Sequence, residues 1–345
     1  MKLSIVTSLV GLTDGERAWD VESFVRECRA ADEAGVYAAY TGERRGRGPA
    51  SGRNAGSSSP NSLCMFGLAN TERLRFGSHV TLLPLHHPVT VVQDACVINT
   101  LYPGRFRLGV GAGYTDDDFR AYGISKRERG VRTEAGLKAI QNFLNGDLVE
   151  LDPPLRGVVP ERDPAMGDSP LEVYVGAWSK PGVLRAARYG DGWYTGPIRT
   201  VTAEAQLAEL YRAECERLGK TPHVVLLREA ALGVTDDAAR DELGSYLLDY
   251  ARIYYERGDT YNPVLDPWMK DVRTVDDITL DMVLPDRFLC GSVDTWLETL
   301  RSWNDLIAPD EIMVRLRYYY GPSVDVSIGA IGTIGREVIP VIDDW

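Results

Sequence analysis

Along the chain, short apolar and β-branched runs alternate with longer stretches whose apolar positions recur at helical spacing. The runs Lys2–Thr7, Ala38–Thr41, Leu74–Leu82, Arg105–Val110, Glu172–Val175, Gly192–Thr195, Val224–Ala230 and Glu311–Arg317 read as strands. Helices are predicted between them at about 19–34, 60–70, 88–101, 131–145, 180–189, 202–218, 236–256 and 293–307, with a ninth at about 323–342. Strands alternating with helices build parallel sheets. Eight such units predict an α/β fold, a closed (β/α)8 TIM barrel in preference to a doubly wound sheet, spanning 1–345 as one domain. Local punctuation agrees. Pro88 suits the first turn of a helix, Thr202 with Glu204 reads as an N-cap and acidic first turn, and Gly219 reads as the residue closing that helix.

Two segments break the pattern. Residues 44–59 (RRGRGPASGRNAGSSS) hold four arginines, no acid and almost no apolar side chain, so they cannot pack as an element. After the second strand they would hang over the C-terminal face, where barrel active sites lie. They read either as a mobile, solvated basic loop or as a lid that attracts an anion. Residues 257–287 carry Tyr261, Pro263, Pro267 and Trp268 and read as an ordered insertion, walling a substrate pocket or not. The stretch 147–169 is loop-like.

Composition narrows the class. The chain has 345 residues, 44% hydrophobic and 26% charged, enough to bury a large core without disulfides or a structural metal. Five cysteines (Cys28, Cys64, Cys96, Cys215, Cys290) stand far apart, in no metal-ligand spacing, which points to a reducing compartment and no metal. A net charge of -12 disfavours nucleic acid and anionic membrane as partners. No run is long and apolar enough to span a bilayer, and the expected location is the cytoplasm.

Three motifs could carry chemistry. Gly109, Gly111 and Gly113 form a GxGxG at a strand end, where missing side chains let a flat ligand or another backbone approach. It is not the dinucleotide fingerprint, because the third glycine comes one residue early and an acidic stretch follows. Gly176–Ala177–Trp178–Ser179–Lys180–Pro181 leads into a helix start, either an ordinary serine cap or a phosphate site made of backbone N–H groups and the Ser179 hydroxyl. His86 and His87 follow the third strand without an acid at ligand spacing. Arg129 and Arg132 read as a surface charge run.

Taken in order, several of these runs resemble the bacterial luciferase-like, flavin-dependent monooxygenase family. The likeness is carried by Val80–Val89 (VTLLPLHHPV), Leu101–Gly111 (LYPGRFRLGVG), Asp118–Gly123 (DFRAYG), Ala186–Trp193 (AARYGDGW) and Phe288–Ser292 (FLCGS). It implies a (β/α)8 barrel, with insertions at the C-terminal face, binding reduced FMN or the deazaflavin F420 there. Carried over residue by residue, Ala177, Trp178 and Ser179 match the phosphate-binding turn and Arg129 a phosphate-contacting arginine. His79–Val80 matches a non-proline cis peptide behind the flavin, and Gly111 and Ala112 stand where luciferases have a cysteine and an arginine.

Where luciferases carry Glu-His-His, this chain has Glu43–Arg44–Arg45, and an arginine cannot serve as a base near neutral pH. Aldehyde oxidation with light emission is therefore disfavoured. Glu43, Arg44 and His86 are the catalytic candidates, and Arg44, Tyr114 and Arg317 are expected to face a small organic substrate, an anion among the possibilities. The leading expectation is an FMNH2-dependent two-component monooxygenase with a separate flavin reductase as partner. The alternatives are an F420-dependent dehydrogenase or reductase and a non-catalytic flavin-binding homologue. A homodimer or higher homo-oligomer is expected, since related barrels often pair through the second and third helices.

Overall fold

The computed structural model describes residues 1–13, 16–43, 59–166, 169–196, 199–257, 261, 263–318 and 320–345. The basic segment 44–58, with Arg44, lies outside them. Eight main strands appear: β1 (Lys2–Val6), β2 (Ala38–Thr41), β3 (Arg75–Ser78), β4 (Phe106–Gly111), β5 (Glu172–Gly176), β6 (Gly192–Tyr194), β7 (Val224–Leu232) and β8 (Glu311–Arg315). The main helices are α1 (Val21–Glu33), α2 (Pro60–Ala69), α3 (Pro88–Leu101), α4 (Arg129–Asn145), α5 (Lys180–Tyr189), α6 (Val201–Arg217), α7 (Gly244–Arg257), α8 (Val293–Ile307) and α9 (Val324–Thr333). This succession is that of the (β/α)8 fold. No helix among the described residues is long and apolar enough to cross a membrane.

Contacts divide the chain into two units. In residues 38–194 with 210–223, β2 to β6 pair in parallel and in chain order, with Ala38 opposite Arg75, Phe76 opposite Phe106, Arg107 opposite Glu172 and Tyr174 opposite Gly192. Helices cover one face: a Cβ at Gly67 of α2 would overlap the Phe76 ring. The next residue, Gly77, faces the other side, where a Cβ would stand 2.6 Å from the Tyr40 ring. In residues 1–37, 195–209 and 224–345, β8 lies between β1 and β7, again in parallel.

Most predicted bounds hold within two residues, and the exceptions have local causes. The predicted strand Leu74–Leu82 is broken after Ser78, at the cis His79–Val80 peptide, and resumes as Thr81–Leu82. Thr200, rather than Thr202, caps α6, its hydroxyl accepting from Ala203 N at 3.2 Å. The Thr202 amide instead donates to the Asp286 carboxylate, so the end of the 257–287 segment closes this helix start. A hairpin, Val10–Thr13 with Glu16–Trp19, carries no alternation that sequence reading could use. In the stretch expected as loop, Val149–Glu150 pairs with Val158–Val159.

One buried ion pair organises the β1–β8 unit. Glu27 of α1 is 1% exposed, and its carboxylate accepts from Thr7 Oγ1 at 2.6 Å, Ser327 Oγ at 2.7 Å, and Arg317 Nε and Nη2 at 3.1 and 3.0 Å. The expectation that Arg317 faces a substrate is thereby corrected. β8 ends at Arg315, and the Arg317 guanidinium, which also donates to the Ser8 carbonyl, is consumed inside the unit. Burial alone would raise the Glu27 carboxyl, but the guanidinium and hydroxyls outweigh it and hold it below its usual range. A depressed carboxylate contributes stability above its unfolded pKa and loses it as pH falls through the folded value. Glu27→Gln, which strands a buried guanidinium, should therefore cost about 3–5 kcal/mol at neutral pH. The deficit should shrink toward acid pH in urea titrations; a deficit constant with pH would contradict this account.

Candidate functional site

The two glycines of β4, Gly109 and Gly111, are explained by what approaches them. A Cβ at position 109 would lie 1.8 Å from the Ser78 carbonyl oxygen, and the Ser78 hydroxyl both donates to Gly109 O and accepts from Gly109 N at 2.9 Å. A Cβ at Gly111 would lie 2.5 Å from Val80 Cγ2, and one at Gly176 of the adjacent β5 would lie 2.9 Å from Val80 Cγ1. Gly113 has a φ of +69°. The motif thus admits a neighbouring backbone at Gly109 and seats Val80 on a glycine floor shared by two strands.

Beyond this floor, the ends of β4 and β5 bring predicted residues together. The rings of Tyr114 and Trp178 lie 5.1 Å apart, and Ala112, Ala177 and Trp178 are all half-buried. Ser179 is the exposed N-cap of α5, and its hydroxyl makes no bond to that helix's first turn. Parallel helices α4 and α5 pack side by side, with Arg185 paired to Glu134 at 2.9 Å, so exposed Arg129 at the start of α4 lies at the same end as Ser179. Arg132, expected on the surface, is half-buried and donates to the Pro84 carbonyl at 3.1 Å.

A second arrangement joins β2 to the turn after β3. The Glu43 amide donates to Val80 O at 3.3 Å, and its buried carboxylate accepts from Leu82 N at 2.6 Å and from His86 Nε2 at 2.8 Å. An ionised carboxylate only accepts, so in this pairing Nε2 is the ring nitrogen that donates. Sequence reading proposed both residues separately and missed that they pair, because 43 positions separate them. His87 instead caps α3 and is exposed. Glu43, His86, Asn61, Thr81 and Asp94 line a cleft of about 570 Å³ between α2 and α3. None of the β4–β5 residues lines it, so these are two distinct places in the unit.

A further group, given no role in the sequence, fills the face opposite the helices. Arg107, 5% exposed, donates to the Tyr40 hydroxyl at 2.5 Å and to Glu172 at 3.0 Å, and stands 3.9 Å from the Tyr174 ring centre. His79 meets Tyr194 edge-on at 4.9 Å and Tyr40 at 6.5 Å. These polar aromatics hold His79 from one side while Val80 is held by the glycine floor. The available signal was alternation: Arg107, Gly109 and Gly111 share one face of β4.

Comparison with known proteins agrees with this architecture. Residues 1–306 match the family model described as luciferase-like monooxygenase. The chain is 39% identical over 90 residues to a 4-hydroxyprotoasukamycin monooxygenase of Streptomyces nodosus subsp. asukaensis, covering 26% of this chain and 24% of that protein. It is 28% identical over 196 residues to an F420-dependent glucose-6-phosphate dehydrogenase of Beutenbergia cavernae, covering 54% and 58%. The alignments span from about a quarter to somewhat over half of the length of these curated relatives. Among solved structures, monooxygenase RslO1 from Streptomyces bottropensis superposes with a TM-score of 0.81 at 18% identity, over 99% of this chain and all of that one. The FMN complex of the oxygenating constituent of 3,6-diketocamphane monooxygenase, from Pseudomonas putida, gives 0.76 at 18% identity, over 99% and 98%. The fold is the α/β TIM barrel, and the chain belongs to the luciferase-like monooxygenase family.

Proposed function

We propose that this protein is a flavin-dependent monooxygenase that takes reduced FMN from a separate flavin reductase and uses O2 to oxygenate a small organic substrate. The observation that carries the reading is the placement, on adjacent parallel strands, of the glycine floor under Val80 and the helix start at Ser179. A flat ring joined to a phosphate fits these groups. Ser179 and the N–H groups at Ala177 and Trp178 would hold the phosphate at the positive end of α5, with Arg129 at the same end. Val80 and His79, with Gly111 and Ala112, would back the ring, and Tyr114 would face the substrate beside Trp178. Reduced FMN supplies electrons and the reaction with O2; the chain binds, orients and excludes water. Glu43 fixes the tautomer of His86 and so holds a proton acceptor at Nδ1, which supplies the base missing at Arg44.

A second reading, F420-dependent hydride transfer, is supported by the similarity to the F420-dependent dehydrogenase and would use the same phosphate turn. Product formation separates the two. With reduced FMN, O2 and substrate, purified protein should form an oxygenated product, and it should pass no hydride between F420 and that substrate; substrate-dependent turnover of F420 with no oxygenated product from reduced FMN would reject the FMN reading. Ser179→Ala should weaken FMN binding by roughly 1–2 kcal/mol in an absorbance titration, and unchanged affinity removes Ser179 from the site.

The His86–Glu43 pair is checked by kinetics. His86→Asn and Glu43→Gln should each lower kcat by about 100-fold while the FMN Kd stays put, and an unchanged kcat in both makes the pair purely structural.

We also propose that the protein pairs through α2 and α3, whose Met65, Phe66, Val97 and Leu101 are exposed on neighbouring helices. Light scattering should give twice the chain mass, and Val97→Asp with Leu101→Asp should halve it. A wild-type mass of one chain refutes the pairing.

A further inference from the structure

The cleft between α2 and α3 lies apart from the glycine floor, and its volume of about 570 Å³ falls within the range of roughly 300–1,000 Å³ usual for small-molecule sites. Its back wall is apolar, formed by Leu85, Val91 and Ile98. Its charge is one-sided. Among the described residues that line it, Glu43 and Asp94 are carboxylates and none is lysine or arginine.

The two carboxylates differ in what already holds them. Glu43 lies at the floor with both oxygens engaged, by Leu82 N and His86 Nε2. Asp94 stands in the second turn of α3, exposed at the rim, and no hydrogen bond or ion pair among the described residues reaches it. Partial burial holds its carboxyl above the usual range, because the protein supplies no donor or cation to offset the lost water. The first turns of α2 and α3 border the same cleft and would draw an anion, but each start carries only about half a charge that fades within one turn. Asp94 carries a whole charge beyond that reach.

We propose that this cleft binds a small organic amine in its protonated form, with the ammonium seated on the Asp94 carboxylate and the apolar body against Leu85, Val91 and Ile98. An ammonium brings both the charge and the N–H donors that Asp94 lacks, as charge-assisted hydrogen bonds. A ligand carboxylate would meet Asp94 with no lysine or arginine of the described lining to answer it. The pairing proposed through α2 and α3 uses Val97 and Leu101 in the later turns of α3, whereas Thr90 and Asp94 lie in its first two. That the bound amine is the substrate rests on the monooxygenase reading, since His86 lines the same cleft; the recognition chemistry does not.

The test uses the full chain without flavin and three probes of similar shape, benzylamine, benzyl alcohol and benzoate, titrated by ligand-observed NMR at low salt. Benzylamine should saturate wild-type protein with a Kd on the order of 1 mM, about fivefold tighter than benzyl alcohol, and benzoate should bind most weakly. A net charge of -12 attracts any amine weakly, so Asp305→Asn, at an exposed position of α8, is the control. It should keep the preference for benzylamine, whereas Asp94→Asn should lower it to about twofold or less. Thr90→Trp, one turn before Asp94 on the same face of α3, should fill the cleft and abolish saturation by benzylamine and benzyl alcohol alike. No saturable binding of benzylamine, tightest binding of benzoate, equal loss of preference in both aspartate variants, or undiminished binding by Thr90→Trp each overturns the site. The first two outcomes need only wild-type protein, so the proposal stays falsifiable if a variant does not fold. An FMN titration on the same preparations reports separately on the flavoprotein reading, since loss of FMN binding there leaves the amine ranking intact.

Discussion

The site depends on how closely the end of β3 crosses β4. The Ser78 carbonyl occupies the space where any side chain at position 109 would begin, so the approach exists only because that residue is glycine. Everything near it inherits this contact. His79 and Val80 follow immediately, Val80 drops onto Gly111 and Gly176, and the Val80 carbonyl receives the Glu43 amide from β2. Three strands are thus held in relation by a point where two backbones nearly touch. Close-packed interiors transmit such a constraint because nothing around it can give.

Buried charge is handled in two ways in the β1–β8 unit. Glu27 is fully satisfied by Arg317, Thr7 and Ser327, and it ties α1 to α9 and to the chain just beyond β1 and β8. Arg228 and Glu204 are as deeply buried but poorly bonded, and burial pushes the Glu204 carboxyl up to about 7 and the Arg228 guanidinium down to about 10. Desolvation is offset by good geometry in the first case and shows as shifted ionisation in the second. Glu229 is buried as deeply, and Arg315 Nη1 stands 3.5 Å from its carboxylate.

The fold was readable because it rests on period and punctuation. The bounds of α3, α5 and α8 follow from Pro88 at a helix start, the AARYGDGW run and the Ser292 cap. The site was only half readable. Ser179, Val80 and Gly111 lie in local motifs, whereas the Glu43–His86 and Glu27–Arg317 pairs join residues 43 and 290 positions apart, and no local pattern announces them. Arg317 misled because a strand-terminal arginine at a barrel mouth reads as a ligand group until its partner on α1 is known. The break in β3 was hidden for a different reason: Leu74, Phe76, Val80, Thr81 and Leu82 on either side of it are the apolar and β-branched residues of a continuous strand.

The anchoring of Glu43 also bears on how this scaffold can change. Its two carboxylate oxygens fasten the end of β2 to Leu82 and His86. On the far side of 44–58, Pro60 sets the first turn of α2 while the Ser59 and Ser62 hydroxyls meet at 2.8 Å. Both flanks are thus held by bonds to residues outside the segment. The Glu43–His86 pair and the start of α2 are therefore each set by contacts of their own, independent of the sequence between them.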